Sequence, residues 1–274
     1  MSIKKSSVVL AWLFLVCGIL FTTYTYGWHG KCYLDSDQSS EMVLADFLNE
    51  IDGGLVTDSW YYSTEIRVIY VHLLYRILLP LFPSWHAVRV VSVMVICIIL
   101  ANSIVYFGRK AGLKTGAVWL AGIYMYPFSG DYAYLILYGQ SYVTYFIFCF
   151  IILGLILQWL KESDKNRKII LFVILALVSF LSGLNGIRQL LVLFFPLLLA
   201  SIVLLWGKLD TFPMKAFFRT KEFLLALVVM STTACGSCGF LYNAYFLQKY
   251  CHSYDIRHIP LGEIFVSELL DYIG

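Results

Sequence analysis

Apolar runs of sixteen residues or more with almost no charge recur along this chain, and nothing constrains its fold more. A helix of that length can cross a hydrocarbon core of ~30 Å. Inside that core every backbone polar group must be bonded within the protein, so helices are the natural way to cross. Seven such runs stand at Val8–Tyr26, Val88–Phe107, Leu113–Phe128, Tyr138–Leu160, Ile169–Leu184, Leu190–Trp206 and Phe223–Leu247. With 60% apolar and 14% charged residues, the composition excludes an ordinary soluble domain. An aromatic content of 17% excludes a disordered chain. The predicted class is an all-α polytopic membrane protein of about seven transmembrane helices. It forms one module over 1–274, with an outer loop at 27–85 and an outer tail at 248–274.

The connecting charges set the expected direction. Lys4 and Lys5 precede the first run, and Arg109, Lys110 and Lys114 follow the second. Lys161, Lys165, Arg167 and Lys168 follow the fourth, and Lys208, Lys215, Arg219 and Lys221 follow the sixth. A cytoplasmic N-terminus puts these 13 of the 20 Lys and Arg residues inside, as the positive-inside rule requires. The segment Ile66–Phe82 is apolar, but counting it as a span would put every later basic loop on the wrong side. It also carries Arg67, His72 and Arg76, so it reads as a helix lying in the outer interface. The expected location is the plasma membrane, multi-pass, with the first large loop extracytoplasmic. The first run reads as a retained helix rather than a cleaved signal, because no convincing small-x-small site precedes Trp28.

The outer loop carries the candidate chemistry. It holds eight acids: Asp35, Asp37, Glu41, Asp46, Glu50, Asp52, Asp58 and Glu65. Ser39–Ile51 has helical periodicity, with Leu44, Phe47, Leu48 and Ile51 on one face, and Gly53-Gly54 to end it. Asp37 or Ser39 would cap that helix, and Glu41 would sit in its dipole-favoured first turn. Asp35 and Asp37 therefore have two readings, as cap and solvated neighbour, or as a general base held beside the membrane by the first helix. Arg188, in Gly183-Leu-Asn-Gly-Ile-Arg-Gln189 between two short runs, either snorkels to the headgroups or binds a phosphate. The same two readings apply to Arg89 and Arg257. Asp131 reads as a turn residue in an outer loop. Cys235 and Cys238, in Ala-Cys-Gly-Ser-Cys-Gly, read as a close-packed helix face rather than a redox pair. Cys32 and Cys251 both fall outside, where pairing is open. The His and Cys spacing near the C-terminus matches no zinc pattern, and no nucleotide-binding motif is present.

The order of a first span, a loop with Asp-x-Asp, an amphipathic helix, an interfacial helix and six further spans resembles the GT-C membrane glycosyltransferases. That superfamily includes protein O-mannosyltransferases and the aminoarabinose transferase of lipid A. Asp37, Ala45 and Gly53 match the spacing of an acid opening the first outer loop, whereas Gln38 stands where the family usually has Glu. Asp58–Glu65 replaces a second acidic motif, and Trp85-His-Ala-Val-Arg89 is similar to an arginine at the outer start of a long helix. The resemblance implies transfer of a sugar from a polyprenyl-phosphate donor to an extracytoplasmic hydroxyl on a glycan, lipid or protein. Asp37 would act as base, with Asp35 or Glu65 assisting, and Arg188, Arg89 or Arg257 would bind the donor phosphate. Metal dependence varies among members and stays open, and nucleic acid is not an expected partner. Members usually continue with further spans, so a shortened member is expected. A transporter or lipid-sugar flippase, and an inactive accessory protein, are the alternatives.

Overall fold

The computed structural model describes residues 3–31, 34, 36–51, 53–62, 65–138, 140–209, 220–248 and 252–253. Six helices are long and apolar enough to cross a membrane: Ser6–His29, Trp85–Lys110, Val143–Lys161, Lys165–Gly183, Leu190–Gly207 and Lys221–Leu247. We label the helices α1 (Ile3–His29), α2 (Ser36–Glu50), α3 (Val71–Leu78), α4 (Trp85–Lys110), α5 (Thr115–Tyr124), α6 (Gly130–Tyr132), α7 (Val143–Lys161), α8 (Lys165–Gly183), α9 (Phe195–Leu209) and α10 (Lys221–Tyr242). Tyr61–Tyr62 and His252–Ser253 pair in parallel as two-residue strands β1 and β2. The chain is an all-α, multi-pass membrane protein.

Local chemistry explains where the long helices start and stop. Ser84 accepts the Ala87 amide at 3.2 Å, Asp164 the Arg167 amide at 2.8 Å and Thr220 the Phe223 amide at 3.2 Å, each capping an N-terminus. Gly112, at φ +91°, follows the end of α4 in the left-handed conformation that a helix C-terminus favours. Much of the apolar surface has no protein partner. Val9, Leu13, Val16 and Leu20 of α1 and Ile170, Val173 and Leu177 of α8 are exposed, as lipid-facing residues must be. The buried residues form clusters between helices, the largest joining α1, α3, α4, α5 and the start of α7.

Where α8 meets α10 the backbones touch. A Cβ on Gly183 would strike the Gly236 carbonyl, and one on Gly239 would strike that of Phe180. The Gly-rich segment around Cys235 and Cys238 is therefore a helix-packing face. Both thiols are free, as are Cys17, Cys97 and Cys149.

One expected span differs. In place of a helix over Leu113–Phe128, α5 has ten residues and rises ~15 Å, half the depth of a bilayer core. The break follows at Pro127, and the chain resumes as α6 and a π-helical stretch, Ala133–Tyr138. Thr22 of α1 donates its hydroxyl to the Met125 carbonyl, and Tyr132 donates to that of Tyr124, so side chains satisfy the interrupted backbone.

The two ends of the bundle differ chemically. At one end Arg109 and Lys114 share a groove with Val8 and Trp12, Lys161 donates to the Lys110 carbonyl, and Lys168 lies 4.1 Å from the centre of the Trp159 ring. At the other, α2, α3 and the loop between them form a cap. Ile66–Phe82 is no span: α3 buries His72, Tyr75 and Leu78 and exposes Ile77, and Leu81 in the turn after it is exposed too. Helix α2 buries Met42, Leu44, Ala45 and Leu48, whereas Ile51, expected on the same stripe, is exposed. Helix α2 ends as expected, with the Gly53 amide donating to the Leu48 carbonyl at 2.9 Å.

Candidate functional site

The segment 65–70, linking the cap loop to α3, has alternating burial. Ile66, Val68 and Tyr70 point into the protein, while Glu65, Arg67 and Ile69 are half-buried on the opposite side. That alternation puts Glu65 and Arg67 on the same, outer side of a bent segment. Two asparagines hold the segment. Asn185 accepts the Ile69 amide and donates to the Ile69 carbonyl, both at 2.9 Å, and Asn243 donates to the carbonyls of Ile66, at 2.6 Å, and Leu184. Each amide supplies the partner a neighbouring strand would otherwise provide.

The loop between α8 and α9 thereby meets the face that carries Glu65. Glu65 Oε2 lies 3.4 Å from Arg188 Nε, with the guanidinium 5.2 Å from the centre of the Tyr142 ring. Gly186, at φ +97°, makes the approach possible, because a Cβ there would meet the Glu65 carboxyl carbon at 2.9 Å. Although the ion pair is close, Glu65 Oε2 is buried and makes no hydrogen bond.

On the other side of Glu65, Arg67 lies 4.0 Å from Glu41, and Glu41 meets His72 at 3.2 Å. His72 is fully buried, and its second ring nitrogen faces the Leu55 carbonyl at 3.4 Å. The Arg67 guanidinium sits 4.7 Å from the centre of the Tyr70 ring, and its Nε makes no hydrogen bond. Burial works against the Arg67 charge, but Tyr70, Tyr145, Glu41 and Glu65 around it outweigh that and raise its pKa. Burial also pushes the Tyr70 phenol well above its ordinary value, against the opposing pull of Arg67.

Two cavities adjoin this row of charges. A small polar one, about 30 Å³, is lined by Asp37, Glu41, Trp60, Tyr62, Glu65 and Arg67. The other is an apolar cleft of about 570 Å³ between α6 and its continuation, α7 and the segment just before α9, with Arg188 in its wall beside Tyr142 and Tyr145. Tyr145 donates to the Asn185 carbonyl at 3.0 Å and lies within electrostatic reach of Arg67, Glu65 and Arg188. Leu135, Phe146, Cys149 and Val192 line the cleft, which thus offers apolar walls running to a cation.

Of the residues expected from sequence, the structure brings Asp37, Glu65 and Arg188 to these adjoining cavities. Asp37 is exposed in the first turn of α2, not at its cap, because the helix begins at Ser36. Arg89 does not join them. It is buried in α4, donates to the Gly30 carbonyl at 3.3 Å and lies 5.8 Å from the centre of the Tyr26 ring, so it neither snorkels nor lines either cavity. Asp35, Asp52, Arg257, Cys32 and Cys251 lie outside the described residues, as does most of 248–274.

Asp131, read from sequence as a turn residue, stands exposed in the single turn of α6. It lines the cleft from the first turn of α6. The stretch that continues α6 is tied to the start of α7, where Leu135 accepts the Tyr142 amide at 3.1 Å. Glu41, Arg67, Tyr142 and Tyr145 were not singled out as site residues from sequence. Arg67 had a signal, its spacing of two from Glu65, but reading the segment as helix hides it. Among the described residues, no group of three His, Cys, Asp or Glu side chains is close enough to hold a metal ion. No family model, curated protein or solved structure matches this chain.

Proposed function

We propose that the protein is a membrane glycosyltransferase acting on a sugar carried by a polyprenyl phosphate. The observation that carries this reading is the apolar cleft with Arg188 in its wall, next to a polar pocket lined by Asp37, Glu41 and Glu65. The prenyl chain would lie in the cleft, with its phosphate against the fork of Arg188. The sugar and the acceptor hydroxyl would then meet at the polar pocket. Asp37, exposed and lining that pocket, takes the acceptor proton as its oxygen attacks the anomeric carbon. The bond from that carbon to the phosphate oxygen breaks, and its electron pair leaves on the polyprenyl phosphate. The basic end of the bundle would face the cytoplasm of a plasma-membrane protein and the α2–α3 cap the outside.

The test is turnover of a panel of polyprenyl-phosphate sugars by the full chain in lipid vesicles, read as release of polyprenyl phosphate. Wild type is expected to turn over, and Asp37→Asn to bind donor without turnover. Equal rates in the two proteins would remove Asp37 as base. A transporter is the second reading. It draws on the broken third apolar run and on Asp131, which lines the cleft, since interrupted helices and acids along a pathway are frequent features of transport sites. Movement of labelled lipid-linked sugar between leaflets, lost in Asp131→Asn and retained in Asp37→Asn, would favour it.

A further inference from the structure

Glu65 is an unusual partner for Arg188. Its Oε2 is buried and lies 3.4 Å from Nε without forming a hydrogen bond. It reaches Arg188, which stands in the wall of the apolar cleft, through a space kept open by the missing side chain of Gly186. Two residues along the same face stands a second guanidinium, Arg67, whose Nε makes no hydrogen bond and whose contact with Glu41 is at 4.0 Å. Glu65 already lies within electrostatic reach of Arg67. The carboxylate thus has one loose cationic partner and a second one beside it.

We propose that Glu65 is a placeholder: in the empty protein its carboxylate occupies the seat of a lipid-linked phosphate on Arg188, and arrival of the phosphate moves it to Arg67. This rests on the reading of the cleft as a lipid-phosphate site. Carboxylate and phosphate both present oxygens to a guanidinium and cannot hold the same donors at once. Glu65 and Arg67 share the outer side of the segment, so the shift needs side-chain rotation alone. Arg67 is then a positioning residue, which receives Glu65 and keeps its charge near the reacting groups. Glu65 and Arg67 both line the polar pocket with Asp37, so the shift would keep the carboxylate on the acceptor side of the site.

The proposal predicts the sign of a change that a supporting role for Glu65 would reverse. Binding of farnesyl phosphate is measured to the full chain in phosphatidylcholine nanodiscs, with farnesol and inorganic phosphate as companion probes. Glu65→Gln should bind farnesyl phosphate about fivefold more tightly than wild type, the order expected on losing one partly exposed competing ion pair. Farnesol binding should not change. Arg67→Gln alone should bind more weakly than wild type, since Glu65 then has no second partner, whereas Arg67→Gln added to Glu65→Gln should change nothing further. Glu65→Asp, which keeps the charge but shortens its reach, should fall between wild type and Glu65→Gln and serves if the amide variant does not fold. Unchanged or weaker binding by Glu65→Gln would overturn the placeholder and leave the lipid-phosphate site standing. Failure of wild type to bind farnesyl phosphate more tightly than inorganic phosphate or farnesol would overturn the site as well.

Discussion

Asn185 grips Ile69 by both of that residue's backbone groups, accepting its amide and donating to its carbonyl at 2.9 Å each. The side chain comes from the loop after α8 and its partner from the cap, 116 residues earlier. This pairing joins Arg188 to Glu65, because each stands a few residues from one member. Asn185→Ala would leave a partly buried amide and carbonyl unpaired, at about 1–3 kcal/mol each. We expect a lower thermal midpoint and a larger loss of ligand binding than at a cleft residue such as Val192. Unaltered stability would mean that water replaces the asparagine.

Arg188 should show the chemistry of a fork rather than of a point charge. Arg188→Gln is expected to weaken farnesyl phosphate binding about ten- to a hundredfold, the range for a hydrogen bond to a charged group. Arg188→Lys should recover only part of it, because the two-pronged geometry is lost. Full recovery by lysine, measured in the same binding assay, would argue for simple charge attraction.

The cleft can be filled from within. Val192 is exposed and lines it, so Val192→Trp should obstruct a prenyl chain without disturbing the buried core. Farnesol and farnesyl phosphate should both lose affinity, while inorganic phosphate should not. Loss confined to the phosphate-bearing probe would mean that the chain runs elsewhere.

The α8–α10 crossing tolerates no side chain at Gly183 or Gly239, where backbone already meets backbone. Gly239→Val should therefore separate the two helices, with an expected destabilisation of about 1–3 kcal/mol or more. Thermal aggregation in detergent would report it. Gly130, with open space around its Cβ position, serves as the control, and Gly130→Ala should leave the midpoint unchanged.

Tyr70 supplies a pH signature. Its buried phenol donates to the Ser141 carbonyl at 2.7 Å, and its pKa is raised above the ordinary 10.0. A raised folded-state pKa means the unfolded chain releases the proton first. The contribution is whole below about pH 10 and is lost as pH rises above it. The thermal midpoint should fall more steeply above pH 10 in wild type than in Tyr70→Phe. Parallel slopes would show that other groups govern the alkaline limb.

How much of this was legible in the chain depends on the range of the forces involved. Apolar length and the placement of Lys and Arg determined the membrane-spanning helices, because crossing a bilayer is a condition each segment meets locally. Helix limits at Ser84, Asp164 and Gly112 were likewise local matters of caps and turns. The same local periodicity overreached at 113–128, where Pro127 and the Thr22 and Tyr132 hydroxyls settle a break that hydropathy does not register. Which charges share a site was decided by tertiary structure alone. Arg188 meets Glu65 because Asn185 and Asn243 dock the end of the bundle onto the cap, and Arg67 meets Glu41 where the cap segments pack on one another. Arg89, similar to its counterparts in sequence context, is turned into the protein by the packing of α4 on α1. Side-chain charge is written in the sequence, but its partner is chosen by packing between segments far apart in the chain, more than a hundred residues for Glu65 and Arg188.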